Sequence, residues 1–242
     1  MSDTKLRPFK ITRNFMQNAE GSCLVEMGNT KVICSASVSE QVPHWMKNAG
    51  MGWITAEYAM LPRSTHERKP RESRLGRLDS RSVEISRIIG RALRGVVDLR
   101  KLEGFTIVID CDVLQADGGT RTASINGGFS ALYDAVTFLL EKNLIKENPI
   151  KEFIGAVSVG KVGRKYVVDL SYEEDSRAEV DLNITMTESG KIIDIQGTGE
   201  RSGFTREELN DMLDLAEKAI MEIINYQKKN LLGDHLNRIL KK

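Results

Sequence analysis

The feature that most constrains this chain is a switch of period across residues 105–142. Phe105–Leu114 is a nearly unbroken apolar run of strand length, interrupted by Asp110 and Asp112, and Ala123–Lys142 spaces its apolar residues like one face of a helix. Between them stands Asp117-Gly118-Gly119-Thr120-Arg121-Thr122. A buried strand that turns through glycine directly into a helix belongs to a fold of packed sheets and helices. The turn also has a chemical consequence. The first N–H groups of a helix have no intrahelical partner, and the helix dipole adds positive potential there. Arg121 adds a planar two-pronged donor, so the turn reads as an anion cradle, phosphate above all. The competing reading is a tight connection without a ligand, and the adjoining Thr120 and Arg121 weigh against it.

The rest of the chain alternates the same two periods. Ser22–Met27 and Lys31–Val38 form a hairpin around Gly28-Asn29, and Gly52–Tyr58 reads as a further strand. Asp79–Arg100 takes helical period. Gly155–Val162 with Tyr166–Leu170, and Ala178–Thr187 with Ile192–Gln196, read as two more hairpins. Thr205–Lys229 is a long amphipathic helix whose Thr205 and Glu208 have capping-box spacing. A β-rich half is thus outlined twice. The reading is an α/β (α+β) chain of two similar lobes forming one domain over residues 1–242. Its seam lies near 145–152, where Pro149 follows Asn148.

The 242 residues suffice for one large domain, and the net charge of +1 gives no general pull on polyanions. Cys23, Cys34 and Cys111 lack metal-ligand spacing and read as buried small residues in a reducing compartment. No run approaches the ~20 apolar residues of a membrane span, so a soluble cytoplasmic protein is expected. The histidines, His66 among them, are isolated and receive no chemistry. Trp45 and Trp53 read as core or interface residues. The basic tail from Lys228 to Lys242 reads as either a helix end or an RNA contact.

Charge is concentrated rather than spread. Residues 63–101 hold twelve basic residues, ten of them arginines, against five acidic ones. Arginine suits bidentate contact with phosphate, and a local excess favours a polyanion held in one place. The part before Asp79 carries Pro62 and Pro70 and reads as an exposed arginine-rich loop for nucleic acid. Arg87, Arg91 and Arg94 share a helix face, where salt bridges to a neighbouring element are an equal alternative.

Residues 178–187 alternate. Val180, Leu182, Ile184 and Met186 fall on one face, and Glu179, Asp181 and Asn183 on the other. Asp175 precedes this strand, and extended spacing puts it on the side of Asp181. Two such carboxylates can hold Mg²⁺, or one can donate a proton to a leaving oxygen. The plain alternative is a solvated acidic face. Asp110 and Asp112 interrupt an apolar strand, so each is expected to have a partner.

Taken together, these stretches resemble the ribonuclease PH family of phosphate-dependent 3′-exoribonucleases from about Leu6 to Leu231. The resemblance is carried by residues 52–63, 109–124 and 172–176 and by Gln196-Gly197-Thr198. It implies a two-lobed fold akin to that of the second domain of a small-subunit ribosomal protein. It also implies a cytoplasmic homohexamer built as a trimer of dimers, which trims the 3′ end of tRNA precursors. Inorganic phosphate is then a co-substrate and nucleoside diphosphates are products, with Mg²⁺ as cofactor. Gly119, Thr120 and Arg121 match the phosphate site, and Arg81 its second arginine. Asp175 and Asp181 match the paired acids of metal binding and leaving-group protonation. Arg63, Arg68, Arg71, Arg74 and Arg77 match the segment that supports RNA binding and ring assembly. A non-catalytic RNA-binding ring subunit is the alternative. Three departures stand out. Met1-Ser2-Asp3-Thr4-Lys5 replaces an Arg-x-Asp-Gly-Arg motif, Ser80 and Ser82 flank Arg81, and Asn126-Gly127-Gly128 replaces Thr-Gly-Ala.

Overall fold

The computed structural model describes residues 5–77 and 79–239, so Met1 to Thr4 and the last three residues of the basic tail lie outside it. The chain builds two sheets around one central helix. The first sheet holds β1 (Phe9–Arg13), β2 (Gly21–Met27), β3 (Thr30–Ser39), β4 (Trp53–Met60) and β5 (Thr106–Gln115), in the order β1-β2-β3-β5-β4. Its pairs are antiparallel except β4 with β5, which run parallel. A parallel pair needs a long crossover, and the arginine-rich segment with α1 (Glu72–Leu75) and α2 (Ser80–Gly95) supplies it. The crossover therefore carries the arginines past the C-terminal ends of β4 and β5.

After β5 the chain passes through the glycine turn into α3 (Thr120–Glu141). The second sheet follows, with β6 (Ile154–Val162), β7 (Lys165–Val168), β8 (Val180–Thr187) and β9 (Ile192–Thr198) in the order β7-β6-β8-β9. A short helix, α4 (Tyr172–Arg177), stands between β7 and β8, and α5 (Arg206–Ile239) packs on β6 and β8.

The expected strands, the order of elements and the two-lobed mixed architecture are present. The differences have local causes. The helix expected to reach Arg100 ends at Gly95, and Asp98 then caps a separate 3-10 turn while its N–H donates to the Pro149 carbonyl at 2.8 Å. The final helix runs ten residues beyond Lys229, to Ile239. β1, α1 and α4 are too short to announce themselves by periodicity. The arginine loop is thus interrupted by one helical turn.

Periodicity gives the helix after the glycine turn one buried face. Instead α3 is buried all round from Thr122 to Val136, because the first sheet covers one side and β6 and α5 the other. Small residues allow that double packing. A Cβ at Gly127 would lie 2.6 Å from Cys34 Sγ and 2.8 Å from Val25 Cγ1. Asn126 has a matching role. Its Nδ2 donates to the Ala156 carbonyl at 2.9 Å, and the Ala156 N–H donates back to Asn126 Oδ1 at 2.8 Å. β7 pairs with β6 only over Val159–Val162, so Asn126 satisfies the buried edge of β6 that β7 leaves open. The Asn-Gly-Gly departure is therefore a packing solution.

Candidate active site

The turn at 117–119 is shaped by its neighbours. Gly118 and Gly119 both have left-handed φ, 74° and 65°. A Cβ at Gly118 would sit 2.2 Å from the Leu170 carbonyl, so only glycine lets the turn touch the segment leading into α4. Thr30 Oγ1 donates to the Gly118 carbonyl and accepts from the Asp117 N–H, at 2.5 and 2.9 Å. Gly119 is the N-cap of α3 and offers no side chain, and the first turn contains no acidic residue. The leading amides of α3 therefore open onto a cleft. Thr120 is held by the Tyr58 hydroxyl, 2.9 Å from its Oγ1.

The cleft is about 1120 Å³ and lies between the two sheets. Gly119, Thr120 and Arg121 form its floor, and Arg81, Asp175 and Asp181 its walls. Arg121 is pinned rather than free. Its Nη1 donates to Gln196 Oε1 on β9, and its Nη2 lies 4.0 Å from Glu84 on α2. Its buried Nε has no acceptor among the described residues. Arg81 stands exposed in the first turn of α2, its N–H held by the Asp79 side chain at 3.2 Å.

Asp181 occupies the polar side of β8 as the alternation requires, while Val180, Leu182, Ile184 and Met186 are buried. Asp175, expected in extended backbone, lies instead in α4, whose Ser171–Glu174 capping box closes its N-terminus. The turn reverses the chain so that both carboxylates still face the cleft. Burial and the nearby Asp175 charge push Asp181 up to about 6, although Arg121 and a hydrogen bond from Asn183 Nδ2 at 3.0 Å pull the other way. Its buried Oδ1 has no donor among the described residues. Burial also raises Asp175, and Arg81 opposes that rise. The site thus holds a cation with an unmet acceptor need and a carboxylate with an unmet donor need, on two residues that line one cleft.

The five loop arginines divide. Arg68 lines the cleft beside Lys69, and Arg77 lines an adjoining hollow of about 470 Å³ with Arg81 and Tyr58. Arg63, Arg71 and Arg74 are exposed away from the cleft lining. The loop is fastened to α2 where Ser82 Oγ donates to Glu72 Oε1 at 2.6 Å, which gives the serine beside Arg81 a structural task. On the shared face of α2, one of three arginines takes the salt-bridge alternative and a second is held by a backbone carbonyl instead. Arg91 lies 3.6 Å from Asp194, and Arg94 donates to the Ile54 carbonyl at 2.7 Å beneath the ring of Trp53.

One expectation fails. Asp110 and Asp112 have no side-chain partner among the described residues, and they lie on the open face of the first sheet with Glu57, outside the cleft. Partial burial and then the Glu57 charge raise both, and Asp112 adds to the rise of Asp110. The strand is buried on one face only, so the aspartates reach water and need no partner.

Other residues of the site give no signal in the sequence. Arg7 Nη1 donates to the Asp117 carbonyl at 2.5 Å and its Nη2 to Asp169 Oδ1 at 2.7 Å, so the N-terminal segment reaches the turn without the Arg-x-Asp-Gly-Arg motif. Asp117 in turn accepts from the Tyr172 N–H at 3.2 Å and thereby ties the turn to α4. His66, Tyr172 and Lys69 border the cleft. Only the pairing of distant segments brings these residues together.

The comparisons with known proteins agree with this geometry. Residues 5–137 match domain 1 of the 3′ exoribonuclease family and residues 152–219 match domain 2. A protein of Corynebacterium kroppenstedtii named ribonuclease PH is 52% identical over 97% of this chain and 92% of its own. An Archaeoglobus fulgidus exosome structure with RNA bound to the active site superposes with a TM-score of 0.77 at 25% identity, covering 91% of this chain and 88% of that one. Rice (Oryza sativa) Rrp46 has the same fold, with a TM-score of 0.77 at 18% identity over 96% of this chain and 98% of its own. With both family domains matched in order and the cleft lying between them, the chain belongs to the 3′ exoribonuclease family.

Proposed function

We propose that this chain is a phosphorolytic 3′-to-5′ exoribonuclease. The observation that carries the reading is the single cleft in which the open N-terminus of α3, Arg121 and Arg81 face Asp175 and Asp181. Phosphate and a phosphodiester repel each other, and the first group of residues holds and neutralises both anions in line. A phosphate oxygen attacks the terminal phosphorus, and the bond from phosphorus to the preceding 3′ oxygen breaks. That oxygen takes the electron pair and a proton from Asp181, whose raised pKa keeps it partly protonated near neutrality. A nucleoside diphosphate leaves, and the shortened RNA ends in a free 3′ hydroxyl. Read backwards, the same steps add nucleotides from diphosphates.

Asp175 and the ionised form of Asp181, whose Oδ1 has no hydrogen-bond partner among the described residues, would hold a Mg²⁺ ion through oxygen with several waters kept, while proton donation belongs to the protonated form of Asp181. Bound there, the ion would offset charge on the RNA. The exposed loop arginines suit tRNA precursors as substrates and a homohexamer, a trimer of dimers, as the assembly. The free buried cysteines suit the cytoplasm, and no helix among the described residues is long and apolar enough to cross a membrane.

A 3′-extended tRNA incubated with and without inorganic phosphate tests the reaction. Nucleoside diphosphates that form only with phosphate are expected. Monophosphates formed without phosphate would make the chain a hydrolase, and RNA binding without product would make it a non-catalytic RNA-binding subunit.

A further inference from the structure

His66 and Tyr172 form an aromatic surface at the mouth of the cleft that the phosphate and carboxylate groups leave unused. Their ring centroids are 6.1 Å apart with planes inclined at 51°. They come from elements with no sequence proximity, the arginine loop and the first position of α4. Tyr172 is 57% exposed, and among the described residues its hydroxyl has no hydrogen-bond partner. A tyrosine with neither a buried ring nor a bonded hydroxyl contributes little to the fold at that position. Its backbone is nevertheless fixed. The N–H is held by Asp117 of the phosphate turn, and α4 begins there under its capping box. Tyr172 thus stands one turn of helix from Asp175. Arg68 and Lys69 follow His66 closely and line the same wall.

Aromatic rings beside cations along a groove are the chemistry that holds single-stranded nucleic acid. Bases stack on the rings and phosphates meet the cations, with little preference for sequence. We propose that Tyr172, backed by His66, is a stacking shelf for one of the last two bases of an RNA 3′ end. The shelf rests on the phosphorolytic reading only for bringing a 3′ end into the cleft. Stacking would orient the terminal linkage toward the phosphate turn without any base-specific hydrogen bond, as an enzyme that removes every nucleotide in turn requires.

The full-length protein is mixed, without inorganic phosphate, with RNA carrying 2-aminopurine at either of its last two positions. Quenching is expected at one of them. Tyr172→Phe should keep it, and Tyr172→Ala should abolish it and weaken RNA binding roughly 5- to 150-fold. His66→Ala should weaken binding by a smaller factor. RNA whose last two nucleotides lack bases should bind the parent chain and Tyr172→Ala alike. Quenching that persists in Tyr172→Ala, or an equal affinity loss on abasic RNA, would overturn the shelf. Quenching with no diphosphate release on adding phosphate would leave the shelf standing and remove the phosphorolytic reading.

Discussion

Asp181 and Arg121 define the site at the scale of single residues, and each keeps one buried polar atom without a hydrogen bond among the described residues. Asp181 rises from the ordinary 3.8 to about 6 because burial and the Asp175 charge penalise its ionised form. The folded chain therefore binds this proton more tightly than the unfolded one. The associated stability is present below about pH 4 and is lost as pH rises through 6. In EDTA, Asp181→Asn should be more stable than the parent chain at pH 8, by up to roughly 3 kcal/mol, and equal to it at pH 4. Thermal melts at the two pH values check this, and a destabilised variant at pH 8 would mean that Arg121 compensates the charge in full. Arg121→Ala removes the pinned guanidinium from the cleft floor. Phosphorolysis should fall about 10²- to 10³-fold while RNA affinity changes little. Steady-state rates against phosphate concentration decide it. The alternation around Asp181 and the Gly-Gly-Thr-Arg turn are legible in the sequence because each is a local pattern. The orphaned Arg121 Nε and Asp181 Oδ1 are not, because burial depends on what packs on top.

At the scale of elements, periodicity locates every long strand and helix but misjudges what surrounds them. The sequence of α3 alone does not reveal that a second sheet covers its polar side, and so Asn126 reads as a departure rather than as the partner of Ala156. Removing that pair leaves the buried β6 edge unsatisfied at two atoms. Asn126→Ala should cost about 2 to 4 kcal/mol, at 1 to 3 for each orphaned group with some relaxation. Denaturant unfolding measures it, and a cost below 1 kcal/mol would mean that water reaches the edge. The arginine loop shows the opposite balance. Its charge is plain in the composition, and its positions follow from fastening at both ends, by Ser82 to Glu72 and by the Ala116 N–H to the Ser64 carbonyl at 2.8 Å. Arg68→Ala with Arg77→Ala should lower RNA affinity and flatten the dependence of log K on log salt by about 0.7 for each phosphate no longer neutralised. Arg63→Ala with Arg74→Ala, away from the cleft, should flatten it less. Equal slopes in the two double variants would mean that RNA runs along the whole loop.

For the whole molecule, the decisive fact is that the site belongs to neither sheet. The turn and Arg121 follow the first sheet, whereas Asp181 and Gln196 stand on the second and Asp175 on the helix between two of its strands, so catalysis depends on a fixed relation between them. α3 supplies most of that relation by packing on both. Arg7 supplies a polar tie at the point nearest the chemistry, joining the Asp117 carbonyl to Asp169, whose side chain is fully buried. Asp169 also adopts a left-handed φ of 57°, so its neighbours hold it in a conformation it does not favour. Arg7→Ala would leave that buried carboxylate without its cation and with only the residue-7 N–H, 3.2 Å from Oδ2, and losing one partner of a buried pair costs about 3 to 5 kcal/mol. The melting temperature should drop by several degrees, and KM for phosphate should rise although Arg7 is not proposed to touch it. Removing the stranded charge as well separates the two effects. In Arg7→Ala with Asp169→Asn, much of the stability should return, while KM for phosphate stays high because the turn has still lost its tether. If KM recovers together with stability, the tie matters only for folding, and packing by α3 alone suffices to align the two sheets.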